Sequence, residues 1–208
     1  MSTIKTNQLA HTANGASIYT LPQTDGSAGQ VLQTNGSGAL SFATPTPTIS
    51  EGSYSSALSG TYVDITVDST DVIKYDLLFE NVSLGGGMNW LFRLGDSGGI
   101  ESTGYTVAAG YFSNSSYGAT SSRTDSFNWR SVGDASFLMD GKFSLYRFNG
   151  NTWWGEGVLS RNETSDGTLY QMRGKKTLSG ALTTIRIQAA PDLSESFDSG
   201  HYKLITYK

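Results

Sequence analysis

Residues Lys142–Ser160 read KFSLYRFNGNTWWGEGVLS. Two strand-like runs, Lys142–Phe148 and Thr152–Ser160, flank Asn149-Gly150. A tight type I′ turn needs positive φ at both central residues, and Asn followed by Gly meets that need best. The stretch therefore predicts an antiparallel hairpin. In Trp153-Trp154 the two rings fall on opposite faces of the second strand, so one belongs to the core and the other to a surface or a subunit contact.

The same grammar extends in both directions. Asp140-Gly141 and Asp166-Gly167 separate this hairpin from the runs Ser136–Met139 and Thr168–Arg173, which predicts an antiparallel meander. Upstream, Val63, Ile65 and Val67 alternate with Tyr62, Asp64 and Thr66. Tyr75, Leu77 and Phe79 alternate with Asp76, Leu78 and Glu80, and Met88, Trp90, Phe92 and Leu94 with Asn89, Leu91 and Arg93. Period-two patterns place one set of side chains on a buried face. Further runs are Gly104–Phe112, Ser126–Val132, Leu182–Gln188 and Gly200–Tyr207. No dozen residues carry apolar positions at helical spacing. The predicted fold is an all-β, antiparallel, jelly-roll-like β-sandwich, with Trp90, Phe92, Phe79 and Ile187 inside. Ser113–Asp125 (SNSSYGATSSRTD) is polar and reads as a long exposed loop.

Composition agrees. Charged residues are 15% of the chain, against roughly 25% in ordinary soluble domains, and Gly is 25 of 208. Aromatics are 12%, too many for a disordered chain. The net charge of −4 and the lack of a Lys/Arg run beyond Lys175-Lys176, flanked by Arg173, argue against a nucleic-acid groove. The chain has no Cys, so disulfides and thiolate zinc sites are excluded. No apolar run is long enough for a membrane helix, and the first residues do not read as a secretory signal, so no membrane insertion is expected.

Little points to catalysis, and no catalytic residue, metal site or cofactor is expected. The two histidines are His11 and His201, and no G-x-S-x-G elbow is present. Glu156 with Glu163, or Asp64 with Asp68, are the carboxylate pairs to weigh for glycoside hydrolysis. Asp64 and Asp68 lie opposite an apolar strand face and read as solvated. Exposed aromatics near turns are better candidates for binding: Tyr111, Tyr117, Trp129, Trp153 and Trp154. Flat rings stack on sugars and anchor protein partners at small entropic cost.

The first fifty residues differ from the rest. Only Lys5 and Asp25 are formally charged there. Leu21–Pro47 reads LPQTDGSAGQVLQTNGSGALSFATPTP, with turn signals at Asp25-Gly26 and Asn35-Gly36 around Val31-Leu32, then Leu40 and Phe42. Such a hairpin has too few apolar side chains for a core of its own. Thr44-Pro45-Thr46-Pro47 marks a stiff joint. The expected division is an arm over residues 1–44, a Thr/Pro linker over 45–50 and a β-sandwich over 51–208.

The arm resembles a module near the N-terminus of tailed-bacteriophage virion proteins, tail-fibre-like ones above all, of the form LP-x-x-DG-x-AGQVL-x-TNG-x-G-x-L-x-[FW]. The matching residues are Leu21-Pro22, Asp25-Gly26, Ala28–Leu32, Thr34–Gly36, Gly38, Leu40 and Phe42. Ser196–Gly200, followed by Tyr202, Leu204 and Ile205, is similar to the closing strand of the sandwich that follows this module, with Ser where the family has Ala. The resemblance implies a virion structural protein, a homotrimeric fibre-like appendage. Residues 1–44 would bind other virion proteins and the body would meet a host-surface glycan. A capsid decoration protein and a small glycan-binding or glycan-degrading appendage are the alternatives.

Overall fold

The computed structural model describes residues 8–10, 17–45, 47–86, 89–130, 136–162, 167–189 and 193–208. His11, Met88 and Glu163 lie outside them. The chain forms two compact units, residues 1–47 and 48–208.

The first unit holds two small antiparallel ribbons: β1 (Gln8–Ala10) with β2 (Ser17–Thr20), and β3 (Val31–Thr34) with β4 (Leu40–Ala43). Asn35-Gly36 does turn the chain, but through a five-residue loop. The Asn35 side-chain oxygen accepts the N–H groups of Ser37 (2.8 Å) and Ala39 (3.1 Å), and Gly36 and Gly38 both take positive φ. Asp25-Gly26 closes no hairpin. Gly26 instead lies under the Phe42 ring, where a Cβ would come within 2.6 Å of it. None of the residues of this unit whose side chains are described is buried. Val31 and Leu32 are half exposed, and Phe42 is exposed as well.

The second unit is an antiparallel β-sandwich, with no helix among the described residues. The chain enters the larger sheet with β5 (Ile49–Glu51), so Ile49 and Ser50 belong to the sheet and not to a linker. It crosses to the smaller sheet with β6 (Tyr62–Thr66), returns with β7 (Lys74–Leu84) and crosses again with β8 (Asn89–Asp96), on which β9 (Gly99–Ile100) folds back. The hairpin β10 (Tyr105–Phe112) and β11 (Tyr117–Arg123) joins the larger sheet, and β12 (Phe127–Arg130) the smaller. The meander β13 (Met139–Asn149), β14 (Thr152–Arg161) and β15 (Leu169–Thr177) follows. Then come β16 (Thr184–Gln188) in the smaller sheet and β17 (Phe197–Tyr207) in the larger. The strand orders are β11-β10-β15-β14-β13-β7-β17-β5 and β12-β8-β16-β6. No two strands on the smaller sheet's main path are consecutive in sequence, so that sheet forms only through long-range pairing.

Aromatic packing closes the sandwich. Phe92 of β8 stacks on Phe143 of β13 at 4.1 Å, and Trp129 meets Phe92 at 5.3 Å and Trp90 at 5.4 Å. Trp90, Phe92, Phe79 and Ile187 are all buried, as the alternation requires. Among the described residues the indole N–H groups of Trp90, Trp129 and Trp153 have no hydrogen-bond partner, so these rings are held by packing and, for Trp153, by the Arg147 guanidinium 5.4 Å from its ring centre. Along β14 the inward positions are Trp153, Gly155, Gly157 and Leu159. The two glycines admit rings from the opposite sheet. A Cβ at Gly155 would stand 2.6 Å from Phe127, and one at Gly157 would collide with Trp129.

Two expected turns resolve differently. Asn149-Gly150 closes the β13–β14 hairpin, with Gly150 at φ 53°. Asp140-Gly141 lies inside β13. There the Asp140 carboxylate accepts the Asn81 N–H (2.7 Å) across a bulge, and Gly141 leaves room for the Val158 carbonyl of β14. Ser113–Asp125 is mostly strand and not loop: Ser113–Ser116 is the turn, tied by a Ser113 N–H to Ser116 carbonyl bond of 2.8 Å, and β11 is an edge strand.

Trp90→Ala removes a fully buried ring and should lower stability by about 3–5 kcal/mol. Gly157→Ala overfills the seat of Trp129 and should cost about 1–3 kcal/mol despite adding only a methyl group. Urea unfolding monitored by tryptophan fluorescence measures both.

Candidate functional site

The outer face of the larger sheet is where strand parity places side chains that the core does not use. Register aligns them in rows across the strands, about 4.8 Å from one strand to the next. One row runs Thr106, Lys175, Trp154, Tyr146, Lys74, Tyr207. The next runs Ala108, Arg173, Glu156, Ser144, Asp76, Ile205. A third runs Gly110, Gln171, Val158, Lys142, Leu78, Lys203.

Asp76 fixes the β7 side of this face. Its carboxylate accepts the Ser144 hydroxyl (2.6 Å), the Lys74 ammonium (2.8 Å) and the Tyr207 hydroxyl (3.1 Å). Burial disfavours its charge, but those three donors outweigh burial and hold its carboxyl below the usual carboxylate value. Lys74 in turn sits 5.0 Å from the Tyr146 ring centre and 4.8 Å from that of Tyr207, so one cation pins two rings. Tyr146 donates its hydroxyl to Glu156 at 3.0 Å.

Towards β10 the outward residues shorten to Ala108 and Gly110, and the face sinks into an open trough of about 700 Å³. Lys142, Ser144, Glu156, Gln171 and Arg173 line it with polar groups, and Phe112 and Val158 with apolar ones. Gly110 is glycine for a backbone reason, since a Cβ would press on the Gly118 carbonyl at 2.9 Å. At the next outward position of β14 from Glu156, Trp154 is 43% exposed, and the ring of Phe148, 72% exposed, lies 6.4 Å from the Trp154 ring.

The five aromatics expected to bind fare differently. Trp154 and Tyr117 are exposed, Tyr117 where β11 leaves the hairpin turn. Trp129 and Trp153 are fully buried and cannot meet a ligand from the surface: Trp129 fills the seat over Gly157, and Trp153 packs at 5.7 Å from Tyr75. Tyr111 points inward, packing against the core with Tyr170 at 6.4 Å. Sequence reading missed Tyr146, Phe148, Lys142 and Gln171, and it dismissed Arg173. Strand parity was the available signal: once Trp153 is inside, Trp154, Glu156 and Val158 are outside.

The other chemistry-bearing residues are engaged elsewhere. Arg186 holds Asp64 with two bonds of 2.7 Å and covers the Tyr62 ring. Asp68 accepts the Thr70 N–H at 2.9 Å. A ring nitrogen of His201 lies 2.9 Å from the Ser55 carbonyl, and its ring stacks on Tyr54 at 4.5 Å. Among the described residues no group of three His, Asp or Glu could hold a metal ion. The chain matches no family model, no curated protein and no solved structure.

Because the Asp76 carboxyl is depressed, the stability it provides is present above the ordinary Asp value of about 4 and is lost as pH falls through the lower folded value. Asp76→Asn should therefore cost about 1.5–3 kcal/mol at pH 7 and lessen the loss of stability on acidification below about pH 4. Urea midpoints of both proteins between pH 7 and pH 2 measure this.

Proposed function

We propose that the chain is a structural protein of a tailed-bacteriophage particle, a short trimeric fibre-like appendage. Residues 1–47 hold it to the virion or to sister copies, and the sandwich presents its larger sheet to the host surface. The observation that carries the reading is the first unit. It forms strands and specific turns, yet none of its residues with described side chains is buried. Ordering residues costs about 1–2 kcal/mol each in backbone entropy, and an isolated two-stranded ribbon does not recover that. The exposed Val31, Leu32 and Phe42 are what a partner would cover. The likeness of Leu21–Phe42 to the virion module supplies the kind of partner. The sandwich has its own core and needs no help from the arm to fold.

A chain lacking residues 1–47 should fold, remain soluble and fail to join particles. Circular dichroism and quantification of the protein in purified virions measure the two halves of this expectation. Incorporation of the truncated chain at the wild-type level would overturn the anchoring role.

A further inference from the structure

We infer that the trough on the larger sheet binds glycan chains that carry carboxylate groups, the chemistry of uronic-acid polysaccharides. The inference rests on the body being the host-facing part of the appendage, and it names the ligand class of that same face.

The lining selects the ligand. A polyhydroxylated chain needs donors and acceptors side by side together with flat apolar surface. The trough offers the Gln171 amide and the Glu156 carboxylate, with Trp154 at the next outward position of β14 from Glu156. A purely apolar partner would leave those polar groups buried and unpaired.

Charge then chooses among glycans. The side chains of Lys142 and Arg173 form no hydrogen bond or ion pair among the described residues, and neither does that of Lys175 at the next outward position of β15. The one acid of the trough, Glu156, is already engaged by Tyr146. The trough therefore has a net positive charge on a molecule whose net charge is −4. Arg173 presents a planar fork that fits a carboxylate with two parallel bonds. Asp76, Ser144 and Lys74 brace the β13 side before any ligand arrives, so the ordering cost of binding falls on Lys142 and Arg173 and not on that side.

The test is native affinity electrophoresis of the full chain in gels containing dextran, carboxymethyl-dextran or dextran sulfate, three polymers with one backbone. Carboxymethyl-dextran should retard the protein, with an affinity about tenfold above that for plain dextran. Arg173→Gln and Lys142→Gln should each weaken retardation about tenfold, and Arg173→Lys should weaken it less. Trp154→Ala should weaken it several-fold through lost stacking, and Lys208→Gln, outside the trough, should leave it unchanged. Unchanged thermal midpoints establish that the variants are folded. No retardation by carboxymethyl-dextran, equal retardation by plain dextran, or full binding in both Gln variants would overturn the inference. So would equal binding of dextran sulfate that Trp154→Ala leaves intact, since that is charge attraction alone. Incorporation into particles is scored separately, so failure here leaves the appendage reading standing.

Discussion

Phe127 and Trp129 rest on the bare backbone of Gly155 and Gly157, and the sandwich closes around that seat. Side chains at those two positions would hold the sheets apart. With glycine there, rings from β12 descend onto β14, and Phe143 and Phe92 stack beside them. β12 is only four residues long and is flanked in its sheet by β8 alone. It holds its place through those rings. Because the smaller sheet's main path is never consecutive in sequence, the seat forms only when long-range pairing is complete. The second unit should accordingly unfold as one cooperative body.

That closure frees the other face of the larger sheet. Inward parity is consumed by Trp153, Leu159, Phe143, Leu145, Tyr75 and Leu77. Outward parity can then carry polar groups and rings, and the register of six strands assembles them into rows. The buried Asp76 is an outward group on which the fold itself depends. Isolated buried charges are costly, and this one is tolerated because Ser144, Lys74 and Tyr207 all point at it. The same contacts hold Tyr146 and Lys74 in place beside the trough. The first unit follows the opposite plan, with specific turns and no buried side chain among those described.

Much of this was legible in the sequence. The Asn149-Gly150 hairpin, the alternation in β7 and β8 and the division of Trp153 from Trp154 are local patterns, and they fix an antiparallel sandwich. What escaped is non-local. Trp129 alternates with Asn128 and Arg130 in a strand of only four residues, too short to tell the core face from an exposed one, and the glycines of another strand explain how its ring is seated. β11 reads as a loop because an edge strand held by its backbone ladder needs no apolar side chains. Asp140-Gly141 looks like a turn, but its residues serve a bulge on β7. The trough could not be read at all, since its rows depend on which strands lie side by side and in what register.

On the proposed reading, residues 1–47 borrow their order from a partner while the sandwich supplies its own. Amide hydrogen exchange on the dilute monomer and on the assembled particle distinguishes the two cases. In the monomer, amides of β3 and β4 should exchange within seconds, and those of β7, β13 and β14 should be protected to the level of global unfolding. In the particle, β3 and β4 should become protected as well. Equal protection of β3–β4 and β13–β14 in the monomer would contradict the claim.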